Sequence, residues 1–102
     1  MSFKPLFELY WTSEAATVFS HLKSDASRQK QYQAVRKALQ FLASNPRHNS
    51  LQTHEFTSLQ CPNGEKVFEA YAEQNTPAAY RIFWFYGPER GMITVVTIVS
   101  HP

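Results

Sequence analysis

The amino-acid sequence predicts an α+β fold: an N-terminal strand, then a two-helix hairpin packed on one face of an antiparallel sheet of three to four further strands. Two observations predict it. Before residue 45 the apolar residues recur with helical spacing, and after residue 65 they form β-branched and aromatic segments separated by turn residues. The links between these last segments are too short for parallel crossovers, so the strands should form an antiparallel meander. The chain, residues 1–102, has the length of a single domain.

The N-terminal part predicts one strand and one helix. Residues 6–11 alternate loosely between apolar and polar side chains, as a short strand does. Ser13 follows as the expected N-cap of a helix that ends near Ser24. One face of this helix is apolar, and it carries Ala15, Val18, Phe19 and Leu22.

A second helix is predicted from Ser27 to Ser44, where Asn45-Pro46 ends it because proline disfavours the helical conformation in the preceding residue. Its apolar stripe consists of Tyr32, Val35, Leu39 and Leu42. We expect this stripe to be buried against the strands that contain Ile82, Trp84, Val96 and Ile98.

The strands lie in the remainder of the chain. Residues 45–65 are irregular, with one short strand expected at Thr53–Leu59 and a turn at Pro62-Asn63-Gly64. Three further strands are predicted at Lys66–Glu73, Ala79–Tyr86 and Met92–Val99.

Composition restricts the class of protein. Hydrophobic residues make up 43% and charged residues 18%, which is typical of a globular chain. Cys61 is the single cysteine, so no internal disulfide can form. No apolar stretch resembles a signal peptide or a membrane span. We therefore expect a cytoplasmic protein with no membrane partner. The histidine spacings fit no zinc pattern and no glycine-rich phosphate loop is present, so we expect neither metal nor cofactor.

The positive charge is concentrated in the middle of the chain. The net charge is only +2, yet residues 26–54 contain five lysines and arginines and no acid. Such a stretch can contact a polyanion or an acidic partner, and the alternative is a solvated helix face.

Five segments, each weak alone, together carry a resemblance over nearly the whole chain. They are Trp11-Thr12-Ser13-Glu14-Ala15-Ala16 at the strand-to-helix junction, Leu39 to Pro46 at the helix end, Val67-Phe68-Glu69, Tyr80-Arg81-Ile82-Phe83-Trp84, and the closing Ile98-Val99-Ser100-His101-Pro102. In this order they resemble the RelE/ParE toxin superfamily.

The resemblance implies a type II toxin that is silenced by a cognate antitoxin. RelE- and YoeB-like members bind the ribosomal A site and cleave mRNA, so we expect a ribosome-dependent mRNA endonuclease with metal-free acid–base catalysis. Because the antitoxin needs apolar surface, we also expect either an exposed apolar patch or a homodimer that hides it. The alternative is a ParE-like, non-catalytic inhibitor of DNA gyrase, or a toxin-like domain that only binds a protein.

Arg81 is the first candidate site residue, because it interrupts an otherwise apolar strand between Tyr80 and Ile82. The matching arginine of the RNase toxins binds phosphate, and a guanidinium can hold a phosphate with two parallel hydrogen bonds. The alternative is an ion pair across the sheet with Glu69 or Glu73.

His101 matches the histidine that acts as general acid in YoeB-like toxins, although those toxins carry a tyrosine after it where this chain has Pro102. His54 and Glu69 are the candidate bases, since the acid that serves as base in those toxins aligns near Asn49, which cannot take a proton. Candidates for phosphate contacts, with solvated surface charge as the alternative, are Arg47, His48, Lys66 and Arg90.

Overall fold

The computed structural model describes residues 6–61, 63–73 and 79–100. Two helices in this part of the chain are α1 (Ser13–Ser24) and α2 (Gln29–Ser44). The strands are β1 (Glu8–Trp11), β2 (His54–Gln60), β3 (Lys66–Tyr71), β4 (Tyr80–Tyr86) and β5 (Met92–Ser100). Short 3-10 turns occupy Ala26–Arg28 and Asn49–Leu51. None of the helices described has the length and apolar character needed to cross a membrane.

The strands form one mixed sheet in the order β1-β5-β4-β3-β2. Neighbours from β2 to β5 are antiparallel, which confirms the predicted meander. The first strand pairs with the last in parallel, with Glu8 opposite Met92. This parallel pairing is allowed because the chain between β1 and β5 is far longer than a crossover requires.

The helices cover one face of the sheet, with α1 against β5 and α2 against β4. Val35, Leu39 and Leu42 of α2 are buried, as predicted. They belong to the same core as Ile82, Trp84 and Ile98 of the sheet. Tyr32 is only half-buried, because it lies at the margin of this core, where its ring is 5.3 Å from that of Phe19.

Val96 is partly exposed, although strict alternation with Ile98 would place it in the core. A β-bulge interrupts the pairing of β4 with β5, so that Phe83 lies opposite Thr97 while Trp84 lies opposite Val95. The extra residue in β5 is Val96, which is partly exposed, and Val95 takes the buried position. Alternation of side chains is lost at a bulge, so a strict period of two predicts the wrong residue there.

The N-cap of the first helix is one residue before the predicted Ser13. Thr12, with extended backbone, is the N-cap, and its Oγ1 accepts a hydrogen bond from the Ala15 N–H at 3.1 Å. The same hydroxyl donates to the carbonyl oxygen of Val96 at 2.6 Å. Ser13 is an exposed residue of the first turn. Thr12 therefore joins the start of α1 to the bulge in β5.

The second helix begins at Gln29, two residues after the predicted start, because a 3-10 turn precedes it. Asp25 caps this turn by accepting hydrogen bonds from the hydroxyl of Ser27 at 2.6 Å and from its N–H at 2.9 Å. These two donors, hydroxyl first, hold the pKa of the Asp25 carboxyl below its usual value.

The remaining bounds differ by a few residues from prediction, as strand ends commonly do. β2 extends to Gln60, β3 ends at Tyr71 rather than Glu73, β4 begins at Tyr80 rather than Ala79, and β5 extends to Ser100.

We predict that Thr12→Ala lowers the free energy of unfolding by about 1–2 kcal/mol, because it removes a cap and a hydrogen bond to the bulge. Thr12→Ser should retain most of the stability. Ser13→Ala, the matched control at the cap position that the sequence suggested, should change it by less than about 0.5 kcal/mol. Urea denaturation measures all three, and equal losses for Thr12→Ala and Ser13→Ala would contradict the assignment of the cap.

Candidate functional site

The sheet has a second face, which we call the open face, directed away from α1 and α2. Alternation along β4 places Ile82 and Trp84 in the core beneath the helices, so Arg81 and Phe83 point to the other side. Cross-strand pairing adds residues of β2 and β3, since His54 lies opposite Glu69 and Tyr71 opposite Arg81. The open face thus carries His54, Phe56, Glu69, Tyr71, Arg81 and Phe83.

Glu69 is the centre of the open face and is only 2% exposed. Its Oε2 accepts a hydrogen bond from Nη1 of Arg81 at 2.5 Å. Its Oε1 lies 2.7 Å from Nε2 of His54 and 3.5 Å from the hydroxyl of Tyr71. A buried carboxylate requires such partners, because desolvation otherwise costs several kcal/mol. We call these four residues the Glu69 network.

Arg81 therefore makes the cross-strand pair with Glu69 that was one of the two sequence interpretations. Its side chain is 19% exposed, and its guanidinium lies 5.5 Å from the centre of the Phe83 ring. Its Nε is buried and has no hydrogen-bond partner within the described part of the chain. A guanidinium has five N–H donors, so the hydrogen bond from Nη1 to Glu69 does not engage all of them.

His54 is the member of the network most open to solvent, with 47% of its side chain exposed. Its Nδ1 lies 3.0 Å from the carbonyl oxygen of Gln52. Both ring nitrogens thus face oxygen acceptors, on Gln52 and on Glu69, and only the imidazolium form donates to both.

Two further candidates lie in the loop that leads to His54. Arg47 and His48 line an open pocket of about 410 Å³ together with Asn49, Gln52 and Thr53. The His48 ring stacks on Phe41 at 3.9 Å, and its Nδ1 accepts a hydrogen bond from the Ser50 N–H at 3.1 Å. His48 thus caps the 3-10 turn, whereas the Arg47 side chain is exposed beside the pocket.

The structure does not bring Lys66 and Arg90 to the Glu69 network. Lys66 begins β3, about 10 Å along an extended strand from Glu69. Arg90 lies in the turn between β4 and β5, at the opposite end of β4 from Arg81. His101 lies outside the described residues.

Sequence reasoning missed Tyr71 and Gln52. The signal for Tyr71 is its spacing of two from Glu69 on a strand, which places both side chains on one face. Gln52 contributes a backbone carbonyl, and no side-chain pattern reveals that. Among the described residues, no group of three or more His, Cys, Asp or Glu is placed to hold a metal ion.

Comparisons with known proteins gave matches only at the level of structure. No protein-family model and no curated protein sequence matches the chain. A YoeB/ParE toxin from Agrobacterium tumefaciens superposes with a TM-score of 0.66 at 9% identity, over 94% of this chain and 100% of that one.

Two other solved structures match similarly. The RelE–RelB complex from Pyrococcus horikoshii gives a TM-score of 0.62 at 8% identity, covering 93% of this chain and 94% of that one. The YoeB dimer from Staphylococcus aureus gives 0.61 at 9% identity, covering 95% and 99%.

The chain therefore has an α+β fold of two helices on one face of a five-stranded mixed sheet. It is the fold of the RelE/ParE toxin superfamily, so the resemblance inferred from the sequence segments is confirmed for the fold.

We predict that Arg81→Met destabilises the chain by about 3 kcal/mol, because it leaves the Glu69 carboxylate buried without its closest cation. The double variant Glu69→Met/Arg81→Met should lose clearly less than the sum of the two single losses, since neither charge is then buried alone. Chemical denaturation of the four chains in this cycle measures the coupling. Lys23→Met, at an exposed position of α1, is the control, and strict additivity of the two single losses would contradict the pairing.

Proposed function

We propose that this chain is the toxin of a type II toxin–antitoxin pair and that it cleaves mRNA on the ribosome by acid–base chemistry that needs no metal. The toxins that share its fold support the first part. The second part rests on one observation: a buried carboxylate, Glu69, joins a half-exposed histidine and an arginine on the open face of the sheet.

The reaction requires a base, an acid and a fixed cation. The base removes the proton of a 2′-hydroxyl, and the 2′-oxygen then attacks the adjacent phosphorus. The bond from phosphorus to the 5′-oxygen breaks as that oxygen takes a proton from the acid. The products are a 2′,3′-cyclic phosphate and a free 5′-hydroxyl.

Arg81 is the cation in this proposal, because its side chain is 19% exposed on the open face and is held there by Glu69. His54 exchanges a proton with the RNA, since it is the network's most exposed titratable side chain. Glu69 is too buried to contact a nucleotide directly, so its carboxylate orients His54 and Arg81 and balances their charge. His101 is the candidate for the acid, on the sequence resemblance.

Arg47, in the loop that leads to His54, is the residue of the basic middle of the chain that lies beside this site, whereas Lys30, Arg36 and Lys37 lie on α2, across the sheet. Residues 26–54 contain five lysines and arginines and no acidic residue. Arg47 from this stretch lines the pocket together with Gln52 and Thr53. The electrostatic attraction between these basic side chains and a phosphate backbone favours RNA binding, and it weakens as the salt concentration rises.

A non-catalytic toxin of the gyrase-inhibiting kind is the second candidate, and the closure of the network favours it. Both oxygens of Glu69 and both ring nitrogens of His54 have partners within the chain. A histidine that transfers protons must give up one of these partners during the reaction. A histidine with a purely structural role keeps both.

The cognate antitoxin is the proposed protein partner. We propose that it binds at the edges of the sheet, where exposed apolar side chains can be buried in the complex. Large apolar side chains that are exposed in the described residues are Leu6, Tyr10, Leu59 and Tyr86. Tyr10 lies on β1 and Leu59 on β2, the two edge strands of the sheet. Edge strands with exposed apolar residues are sites of strand addition and self-association.

We predict that the isolated chain forms a concentration-dependent dimer through the β1 edge, measured by sedimentation equilibrium. Tyr10→Lys should weaken this dimer about tenfold or more, because it places a charge in the contact. Ser20→Lys, on the exposed side of α1, is the control. A chain that stays monomeric at all concentrations would contradict the prediction.

The activity itself is tested on ribosomes programmed with a defined mRNA. Arg81→Lys should lower the cleavage rate about 100-fold or more, because a lysine keeps the charge but loses the planar fork that contacts two phosphate oxygens. His54→Ala should lower the rate as strongly, and His101→Ala should slow cleavage while ribosome binding persists. Lys23→Ala should cleave like the wild type. A wild-type chain that cuts no mRNA but inhibits DNA supercoiling would establish the second candidate instead.

A further inference from the structure

The backbone at Gln52 adopts a conformation that residues other than glycine rarely adopt. Its φ of 45° and ψ of 46° lie in the left-handed helical region. Gln52 follows the 3-10 turn Asn49–Leu51, and its N–H donates to the Asn49 carbonyl oxygen at 3.2 Å. The left-handed residue reverses the chain between this turn and β2.

The reversal directs the Gln52 carbonyl toward the side chain at the start of β2. Its oxygen lies 3.0 Å from Nδ1 of His54. A carbonyl oxygen only accepts hydrogen bonds, so Nδ1 must carry the hydrogen of this contact. The ring is then held with Nε2 toward Glu69, 2.7 Å from Oε1.

We propose that Gln52 is a positioning residue for His54: its left-handed backbone aims a carbonyl at Nδ1 and fixes the imidazole with Nε2 on the Glu69 carboxylate. This inference rests on the proposed function in one respect, that His54 keeps Nδ1 on the Gln52 carbonyl and releases Nε2 from Glu69 when it exchanges a proton with RNA. The orientation itself is a property of the free chain. Among the described residues, Glu69 and Tyr71 are the titratable groups that contact the ring, and Arg81 pairs with the other oxygen of Glu69.

A left-handed residue that only ends a 3-10 turn makes a different prediction. In that case the conformation matters for stability alone, and His54, which is 47% exposed, exchanges its Nδ1 hydrogen freely with water. The two cases are separated by observing the histidine ring rather than the stability of the chain.

The experiment measures exchange of the His54 Nδ1 hydrogen by nuclear magnetic resonance, in chain labelled with nitrogen-15 at mildly acidic pH, where imidazole rings are protonated. We expect this hydrogen to be protected about tenfold or more relative to that of His21, which is exposed on α1. Gln52→Gly and Gln52→Asn tolerate the left-handed region and should keep the protection. Gln52→Val, β-branched and disfavoured there, should lose it.

Two results would overturn the inference. One is that the His54 Nδ1 hydrogen of the wild-type chain exchanges as fast as that of His21. This measurement does not depend on the folding of any variant. The other is a folded Gln52→Val chain that keeps the full protection. Thermal melting of each variant shows whether it is folded.

Cleavage on programmed ribosomes then shows whether the orientation serves catalysis. Gln52→Val should lower kcat about tenfold with KM unchanged, and Gln52→Asn should restore it, because the RNA is still bound while the proton-transfer group is misplaced. If protection of the Nδ1 hydrogen depends on Gln52 but the wild-type chain cleaves no mRNA, the positioning of His54 stands and only the proposed function is refuted. If protection depends on Gln52 but kcat is unchanged in Gln52→Val, the link between the orientation of His54 and catalysis is refuted.

Discussion

The structure depends on keeping one carboxylate, that of Glu69, charged inside a sheet. Three strands supply its surroundings: β2 brings His54, β3 carries Glu69 itself, and β4 brings Arg81. A slip of one residue in either pairing would turn a partner to the helix-covered face and leave the charge unpaired. The desolvation of one side chain thus fixes the register of β2, β3 and β4 and, with it, the composition of the open face.

The helix-covered face is fixed by a second device, at the bulge in β5. Strict alternation would place Val96 beneath the helices, yet the bulge moves it aside and lets Val95 and Ile98 fill the core. The carbonyl that the bulge turns outward accepts a hydrogen bond from Thr12. The start of α1 is therefore anchored to the irregular point of the sheet.

Sequence periodicity predicted what depends on burial and missed what depends on single backbone dihedrals. The stripe of α2 and the meander followed from apolar spacing, and Arg81 stood out as a charge within an apolar strand. The bulge at Val96, the cap at Thr12 and the left-handed Gln52 each reflect one local choice among several that the residue types allow. The same difference explains how matched structures at 8–9% identity share the fold, because many apolar residues satisfy one burial pattern.

The Glu69 network also sets an electrostatic condition on any anion that approaches the open face. Glu69 and Arg81 cancel each other's charge, so the pair alone offers a phosphate little net attraction at a distance. The half-exposed ring of His54 is the part of this network that an approaching anion can contact most readily. An anion at this face is therefore held by direct hydrogen bonds to the partly exposed guanidinium of Arg81 rather than by long-range attraction to the pair.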